Sequence, residues 1–201
     1  MRDIVKIRLL QNMLNEVTKK YDYVMAENKK QSEYNFERSI RDPLTNLYNR
    51  QFLVEFSENY FEKIKRKERS SVLIFLDLDN FKQVNDYYGH EKGDEVLVHV
   101  ANTFRDTFRI YDLIIRYGGD EFIVFIEDLD KEYIDIDIIL KVFVNRIETE
   151  LEKFKISASY GYATSPLEAN DLQKMIEIAD KRMYIQKRAK KESKILSNKG
   201  K

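Results

Sequence analysis

The stretch Arg116-Tyr117-Gly118-Gly119-Asp120-Glu121-Phe122 lies between two short apolar runs. Residues 113–115 lead into it, and residues 123–126 follow it. Two β-rich runs separated by Gly-Gly are typical of a β-hairpin, because a tight primed turn needs positive φ angles that glycine adopts without a steric penalty. The sequence therefore predicts a hairpin with Gly118 and Gly119 in its turn.

Two acidic residues follow these glycines directly. Asp120 and Glu121 repel each other unless a cation is present, and hard metal ions such as Mg²⁺ prefer carboxylate oxygens. Gly118 and Gly119 carry no side chains, so a large anionic group can approach the backbone closely. The stretch thus indicates a site for a nucleotide and Mg²⁺. A surface hairpin with solvated acids is the simpler alternative for these four residues taken alone.

Composition limits the classes of function. The chain has 201 residues, 43% of them hydrophobic, which suits one domain of ordinary size and an extra element. Its 35 basic and 35 acidic residues balance, so we expect neither nucleic acid nor a membrane as a partner. The absence of cysteine excludes thiol chemistry, and two histidines are too few for a His-rich zinc site. With no signal peptide and no apolar run of about 18 residues, we expect a cytoplasmic protein.

Residues 1–40 contain neither glycine nor proline and predict one long helix. Apolar residues recur along it at alternating spacings of three and four, which is the seam of a coiled coil. The seam consists of Ile7, Leu10, Leu14, Val17, Tyr21 and Val24. We therefore predict a stalk that joins two copies of the chain, with a helix packed on its own domain as the alternative.

The segment 41–50 ends this helix, because Pro43 cannot continue it and disfavours a helical conformation at Asp42. We place a domain boundary here. An unbroken apolar run at 72–76 then predicts a strand that is buried on both faces. Asp77 at its end is a candidate metal ligand held by a rigid element. Asp79 precedes a predicted helix and is interpreted as its cap.

The remaining pattern adds helices from about residues 93, 139 and 171 and a strand at 155–163. Together these elements predict an α+β fold, in which a largely antiparallel sheet carries helices on its faces. Residues 192–201 are polar and are expected to form a flexible tail.

Three blocks of this sequence resemble the GGDEF family, the diguanylate cyclases. The heptapeptide 116–122 resembles the family signature, and 42–50 resembles D-x-L-T-x-L-x-N-R. Residues 77–94 resemble D-x-D-x-F-K-x-x-N-D-x-x-G-H-x-x-G-D. The resemblance covers about residues 41–191 and implies a palm-like fold akin to the catalytic domain of nucleotidyl cyclases, here preceded by a long N-terminal helix.

The resemblance implies a transferase of bacterial signalling. The family condenses two GTP molecules into cyclic di-GMP and two pyrophosphates. Each subunit of a homodimer presents one GTP, and each 3′-hydroxyl attacks the partner's α-phosphate. The expected cofactor is Mg²⁺ or Mn²⁺.

The same resemblance implies the catalytic and metal-binding residues. Asp77 and Asp120 would hold the metal with the carbonyl of Leu78, and Glu121 would support it. Asp120 would also orient or deprotonate the 3′-hydroxyl, and Lys82 would contact the phosphates. On an ideal strand Asp120 and Glu121 point to opposite faces, so one of them is a bystander unless the turn distorts the pleat.

Further residues are implied to bind the nucleotide. Asn85 and Asp94 would contact the guanine, His90 would line its pocket, and Gly118 and Gly119 would let the backbone approach. Lys187 and Lys191, four residues apart on one helix, would contact the terminal phosphates. The usual family ending is A-K-x-x-G-R-N, whereas residues 186–192 are Q-K-R-A-K-K-E. Lysine at 191 keeps the charge of arginine and lacks its bidentate fork, so weaker phosphate binding is expected.

Arg109 and Asp112 match an R-x-x-D motif at the family's offset before the glycine pair. This match implies a product-inhibition site, where Arg109 pairs with a phosphate or guanine edge of cyclic di-GMP and Asp112 accepts from guanine. A surface ion pair explains R-x-x-D equally well.

Three functions remain open at this point. The leading one is an active diguanylate cyclase. The alternative is a catalytically weak module that acts as a receptor for GTP or cyclic di-GMP, although the acidic residues and Lys82 are intact. A third is a cyclase with a different cyclic dinucleotide as product. A purely structural coiled-coil protein would leave the polar blocks unexplained.

Overall fold

A computed structural model of the chain describes residues 2–64, 70–127 and 135–199. The chain divides into two compact units, residues 1–40 and residues 41–201. The first unit is a single helix, α1 (Arg2–Ser39). The seam residues that we identified on α1 are between 46% and 65% exposed in the single chain. The coiled-coil dimer therefore stays a prediction, and α1 has an apolar stripe available for it.

The second unit alternates strands and helices. Its strands are β1 (Tyr48–Asn49), β2 (Ser71–Asp79), β3 (Leu113–Arg116), β4 (Glu121–Glu127) and β5 (Ser157–Ser165). Its helices are α2 (Arg50–Ile64), α3 (Phe81–Tyr88), α4 (His90–Thr107), α5 (Ile136–Glu150) and α6 (Leu172–Lys199), with a 3₁₀ turn at Glu152–Phe154.

In the described part of the chain the five strands form one mixed sheet in the order β1-β3-β4-β2-β5. The β1–β3 pair is parallel, and the other three pairs are antiparallel. Strand β2 has neighbours on both edges, and all nine of its residues are buried. The unbroken apolar run is explained by this position, because side chains on both faces of a covered strand are removed from water. The α+β fold predicted from the sequence is confirmed.

The two faces of the sheet carry separate cores, because neighbouring residues of a strand point to opposite faces. Phe122 and Val124 of β4 pack with Phe104 and Phe143 in the core beneath α3, α4 and α5. On the other face, Ile123 and Phe125 of the same strand pack with residues of α2 and α6; this second core includes Leu53, Tyr60, Phe61, Met175, Ala179 and Met183. The sheet thus holds α6 against one face of β2 and β5.

Close approach of α6 to β5 depends on Gly161. A Cβ atom at this position would collide with the backbone carbonyl oxygen of Ala179 and the backbone nitrogen of Met183. Because these are backbone atoms, no side-chain rotation could relieve the contact. Glycine therefore sets the distance between β5 and α6, and α6 carries the lysines described below.

The turn of the central hairpin differs from the prediction. The hairpin itself is present as β3 and β4, but four residues, 117–120, connect the strands. Neither Gly118 nor Gly119 adopts a φ in the left-handed region, so the predicted two-residue primed turn was wrong. Instead, the N–H groups of Tyr117 and Gly118 both donate to the carbonyl oxygen of Glu121, at 2.8 and 3.2 Å.

Several element ends also differ by a few residues or more from the expectation, among them the start of α4 and the end of α6. Helix α4 begins at His90, three residues before the predicted start, and helix α6 continues to Lys199, where we expected a flexible tail from residue 192. Residues 172–199 contain neither glycine nor proline, so the sequence has no helix-ending signal before Gly200. Residues 200–201 of that tail lie outside the described residues. Within the described ranges, no helix is both long enough and apolar enough to cross a bilayer.

Candidate active site

Three acidic residues meet where β2 ends and the antiparallel strand β4 begins. Asp77 of β2 is the register partner of Glu121 of β4, so their side chains lie on the same face of the sheet. The next residue of β2, Leu78, donates its N–H to the carbonyl oxygen of Asp120 at 3.1 Å. This pairing places the loop residue Asp120 beside Asp77. The structure therefore brings together the acidic residues that the sequence proposed as metal ligands.

The open question about Asp120 and Glu121 has a structural answer. Asp120 precedes β4 and belongs to the 117–120 loop, so the alternation of strand side chains does not apply to the pair. The charge of Asp120 acts on both Asp77 and Glu121 and contributes to raising the pKa of each. The charges of Asp120 and Glu121 therefore lie close enough to repel each other.

Burial and mutual repulsion dominate the electrostatics of these carboxylates. Burial is the largest cause that raises the pKa of Asp77, and the charges of Asp120 and Asp79 raise it further, while Lys187 opposes them. Burial also raises the pKa of Glu121, with added repulsion from Asp77, Asp120 and Asp180. Partly buried like charges favour the protonated form unless a cation offsets them. A bound cation would therefore stabilise the ionised form of this cluster, as the heptapeptide suggested.

Helix α6 supplies positive charge to this cluster. The ammonium group of Lys187 is ion-paired with Asp77, in a very short contact. One turn further along α6, Lys190 lies 3.4 Å from the Asp79 carboxylate. Residues two apart on a strand share a face, and so do residues three apart on a helix. The two pairs therefore follow from the packing of one face of α6 on one face of β2.

Asp79 does not play the role of helix cap that we inferred for it. Residue Asn80 occupies the N-cap of α3 and adopts a left-handed conformation without a side-chain capping bond. The two Asp79 carboxylate oxygens instead accept from the Ser159 hydroxyl, at 3.0 and 2.9 Å. The carboxylate points towards the neighbouring strand β5, on the face of the sheet that α6 covers.

A cavity of about 310 Å³ opens next to the acidic cluster. It brings together residues from β2, α3, the hairpin loop and α6. Of the residues proposed from the sequence, it is lined by Leu78, Lys82, Asp120, Lys187 and Lys191. It is also lined by Asp79, Asn80, Phe81, Gln83, Asp86 and Lys190. A cavity with four lysines beside a carboxylate cluster suits a polyphosphate.

Lys190 is the cavity lysine that was not predicted from the sequence. The family ending implied phosphate-binding residues only at positions 187 and 191. Residue 190 is three residues from 187, so on a helix it also lies one turn away from it. The signal that could have found it was the excess of lysine at the end of α6. Which of these lysines turn towards the sheet depends on how α6 packs, and periodicity alone does not give that.

The residues proposed for guanine lie at the junction of α3 and α4. Asn85 is half-buried on α3, and its side-chain oxygen lies so close to Gly93 that a Cβ there would collide with it. Asp94, next to Gly93, and His90, the first residue of α4, are exposed. None of the three lines the 310 Å³ cavity. The residues proposed to bind the substrate thus fall into two groups, one around the cavity and one at this helix junction.

The hairpin loop is anchored by arginine side chains. Arg116 donates from Nε and NH2 to the carbonyl oxygen of Gly119, at 3.2 and 2.8 Å, and its NH1 pairs with Asp42. The guanidinium of Arg50 lies 4.7 Å from the centre of the Tyr117 ring. A Cβ on Gly118 would collide with the Glu121 carboxylate, whereas Gly119 faces open space. Glycine at 118 therefore makes room for the Glu121 carboxylate of β4.

The donor atoms fit a hard divalent cation. Asp77 and Asp120 offer carboxylate oxygens, and the Leu78 carbonyl points to the same side of β2 as its N–H, towards Asp120. Within residues 2–64, 70–127 and 135–199, no three His, Cys, Asp or Glu side chains form a ready metal cage. Mg²⁺ ordinarily uses one or two carboxylates together with phosphates of the substrate, so a complete protein cage is not required.

The R-x-x-D residues form a third region, besides the lysine-rich cavity and the α3–α4 junction. The N–H of Arg109 donates to the Asp112 carboxylate at 2.8 Å, and the N–H of Asp112 returns a bond to the Arg109 carbonyl at 3.0 Å. Burial raises the pKa of Asp112, and the bond from the Arg109 N–H opposes that rise. Both residues line two further cavities, of about 800 and 470 Å³, which share no lining residue with the lysine-rich one. The motif is thus a closed turn with an exposed arginine side chain.

Several known proteins resemble this chain in sequence. The model of the family described as diguanylate cyclase, GGDEF domain, matches residues 39–193. The chain is 37% identical over 150 residues to the bifunctional diguanylate cyclase/cyclic di-GMP phosphodiesterase MucR of Pseudomonas aeruginosa, covering 73% of this chain and 22% of that protein. It is 33% identical over 156 residues to the diguanylate cyclase DosC of Escherichia coli, covering 73% of this chain and 33% of that protein.

A solved structure shows the same fold. The diguanylate cyclase SiaD of Pseudomonas aeruginosa, in complex with its activator SiaC, has a TM-score of 0.65 at 29% identity. The match covers 92% of this chain and 72% of SiaD. The chain spans between about a fifth and a third of the length of MucR and DosC.

Proposed function

The chain belongs to the GGDEF domain family, and from that membership we propose that it is a diguanylate cyclase. The proposed reaction condenses two GTP molecules into cyclic di-GMP and two pyrophosphates. One observation carries the proposal: Asp77, Asp120 and Glu121 converge at the ends of β2 and β4 beside a cavity with four lysines. A cytoplasmic location is part of this proposal, because the proposed substrate is GTP.

Positive charge around the cavity supports a role in phosphate binding. Lys82 of α3 and Lys187 and Lys191 of α6 approach it from two sides. In our proposal these ammonium groups hold the triphosphate and offset the charge that develops as pyrophosphate departs. Lys191 does so as a point charge without the fork of an arginine.

The α3–α4 junction is the proposed guanine site. A carboxylate at Asp94 can accept from the N1–H and N2–H groups of guanine together, which adenine cannot offer. Asn85 supplies a second polar contact, and His90 lines the same junction. Exposure of Asp94 and His90 leaves them accessible to a base.

The bond changes of the proposed reaction define what the acids must do. In each of two reciprocal condensations, the 3′-oxygen of one GTP forms a bond to the α-phosphorus of the other, the bond from that phosphorus to the oxygen bridging the β-phosphate breaks and releases pyrophosphate, and the hydroxyl proton leaves. We assign Asp120 to orient the hydroxyl and accept its proton, with Glu121 as its neighbour. Holding both reactants in this geometry supplies much of the rate acceleration.

A divalent ion belongs to this proposal. Asp77, Asp120 and the Leu78 carbonyl would hold Mg²⁺ or Mn²⁺, with Glu121 in support. When bound, the ion neutralises phosphate charge and polarises the reacting group.

The proposed reaction needs two chains. Each chain carries one site, and the product contains two nucleotides, so two copies must face each other. We propose that residues 1–40 form the dimerising stalk and residues 41–191 the cyclase domain. The exposed seam of α1 supports this division.

Arg109 and Asp112 support a proposed product-inhibition site. The arginine side chain is exposed, and the Asp112 carboxylate is already held by a backbone N–H. An arginine suits a phosphate or guanine edge, and a carboxylate suits guanine. Their separation from the lysine-rich cavity fits an inhibitory role at a distance from the reacting groups.

The test is incubation of the purified chain with GTP and Mg²⁺, followed by chromatography and mass identification of the products. We expect cyclic di-GMP from the wild type and none from Asp120→Asn. Asp106→Asn is the matched control, because Asp106 pairs with Arg146 on the exposed surface. It should retain the wild-type rate.

Other outcomes separate the alternatives. Binding of GTP or cyclic di-GMP without any product would contradict the cyclase and favour a receptor module. A mixed product from equal amounts of ATP and GTP would instead show an enzyme with a different cyclic dinucleotide.

A further inference from the structure

Lys190 makes three polar contacts that tie α6 to the sheet. Its ammonium nitrogen lies 2.6 Å from the Ala158 carbonyl oxygen, 3.3 Å from the Ser157 hydroxyl oxygen and 3.4 Å from an Asp79 carboxylate oxygen. The Ser157 hydroxyl donates its own hydrogen to Glu148, so towards Lys190 it is an acceptor. An ammonium group has three N–H donors, and each of them has an acceptor here.

Asp79 needs a cation at this place. The residue is only 8% exposed, and its carboxylate lines the lysine-rich cavity. The Ser159 hydroxyl carries a single hydrogen for its two oxygens. A buried carboxylate that loses its cationic partner keeps an uncompensated charge. Without Lys190, that charge would face any anion that enters the cavity.

The balance of charges around the cavity depends on this lysine. Lys82, Lys187, Lys190 and Lys191 stand against Asp79, Asp86 and Asp120, so lysines outnumber aspartates by one. Removing Lys190 would make the numbers of lysines and aspartates equal. It would also leave the buried carboxylate of Asp79 without its cationic partner. In a partly buried site the effect of one charge is screened less than at the open surface.

We propose that Lys190 is a positioning residue that holds Asp79 against β5 and masks its charge, so that the cavity accepts a polyphosphate. This inference rests on the proposed function, because it assigns the cavity to the triphosphate of a nucleotide. Lys190 stands where the family ending quoted above has glycine, so this arrangement is a feature of this chain.

Direct phosphate binding by Lys190 is the competing explanation. It would require the ammonium group to leave the Ala158 carbonyl and the Asp79 carboxylate, both of which it already contacts. Lys82 and Lys191 are exposed, so they are better placed to meet a phosphate. The contacts therefore favour action through Asp79, and a double variant separates the two explanations.

The test measures binding of inorganic tripolyphosphate to the full chain by calorimetry, at one fixed pH and ionic strength. Four proteins are compared with the wild type: Lys190→Met, Asp79→Asn, the double variant of these two, and Arg188→Met. Methionine keeps an unbranched apolar stem. Arg188→Met removes the same charge from α6 at an exposed residue that pairs with Glu192.

We expect Lys190→Met to weaken binding about tenfold. The double variant should return to within about twofold of the wild type, because the Asp79→Asn change leaves no charge to mask. Arg188→Met should also stay within about twofold of the wild type. Unchanged binding by Lys190→Met would overturn the proposal. So would a double variant as weak as Lys190→Met, which would assign direct phosphate binding to Lys190, or an equal loss in Arg188→Met.

Two features keep the outcome decisive. If Lys190→Met fails to fold, Asp79→Asn alone decides, because the proposal expects binding at least as tight as the wild type and weaker binding overturns it. The probe carries no guanine and undergoes no condensation. If the tripolyphosphate experiment overturns the role of Lys190, the cyclase proposal is therefore not contradicted. If no cyclic di-GMP forms, the result of the tripolyphosphate experiment is not contradicted.

Discussion

Arg116 and Asp42 lie 74 residues apart in the sequence and form an ion pair, with the arginine NH1 at 3.1 Å from each carboxylate oxygen. The same guanidinium donates through Nε and NH2 to the Gly119 carbonyl. One side chain thus fastens the hairpin loop to the segment that opens the second unit. Asp120, the proposed proton acceptor, is the next residue after Gly119.

Arg116→Lys should impair catalysis more than folding. A lysine keeps the charge and cannot serve Asp42 and Gly119 together with a planar fork. Because a small displacement of reacting groups is costly, we expect cyclic di-GMP formation to fall about tenfold to a hundredfold. The initial rate measures this effect. Arg146→Lys is the control, since Arg146 also bonds two partners, in its case the carboxylates of Glu150 and Asp106, but lies on the exposed surface of α5. Equal losses in both variants would contradict the role of the fork.

The stability contribution of Asp42 should depend on pH in a defined direction. Burial acts to raise the pKa of Asp42, but hydrogen bonds from Thr45 and Arg116 outweigh it and hold the pKa below the ordinary value of 3.8. A lowered folded-state pKa stabilises the fold above the unfolded-state value, and this contribution is lost as the pH falls through the folded value.

Comparison of the wild type with Asp42→Asn by urea unfolding checks this direction. The difference in free energy of unfolding should be constant well above pH 3.8, at about 1–3 kcal/mol, and shrink below it. A difference that grows on acidification would refute the assignment.

Gly161→Ala should lower the free energy of unfolding more than Gly119→Ala, although both variants add one methyl group. At Gly161 the added methyl group meets backbone atoms of α6, so helix and strand must separate, at a cost of about 1–3 kcal/mol. At Gly119 nothing lies within 4 Å of the new atom. Urea or thermal unfolding measures both, and comparable losses would show that α6 is not held as closely as Gly161 indicates.

Leu14→Glu should convert the proposed dimer to a monomer. It places a charge in the seam of α1, where Leu14 is 65% exposed in the single chain. Asn15→Glu adds the same charge beside the seam and should remain dimeric. Sedimentation gives the oligomeric state, and the cyclase rate should fall with it at low protein concentration. A chain of residues 41–201 that keeps full activity at low concentration would refute the stalk.

Arg109→Ala should weaken inhibition by cyclic di-GMP. The exposed arginine side chain is lost, while the bond from the backbone N–H of residue 109 to Asp112 can remain. We expect the inhibitory concentration of cyclic di-GMP to rise about tenfold, as for loss of a charge-assisted contact. Arg188→Ala is the control at another exposed arginine. An unchanged inhibitory concentration would favour the simpler role of R-x-x-D as a surface turn.

Local sequence patterns were sufficient to predict the strands that carry the site. The unbroken run at 72–76 predicted β2, and two apolar runs around Gly-Gly predicted the β3–β4 hairpin. Asn49 is a residue type that favours helix starts, and its side chain accepts from the Phe52 N–H at the start of α2. These features depend on residues close in sequence, so spacing and turn chemistry contain the information.

The sequence by itself determined the family, the α+β fold and the acidic and basic residue types of the site. Tertiary structure alone decided how those residues are paired. Asp77 faces Glu121 because of the register of β2 and β4, and Lys190 reaches Asp79 across 111 residues because Gly161 lets α6 lie close to β5. A periodic pattern fixes which face a side chain occupies, whereas strand register and helix packing fix what it meets there.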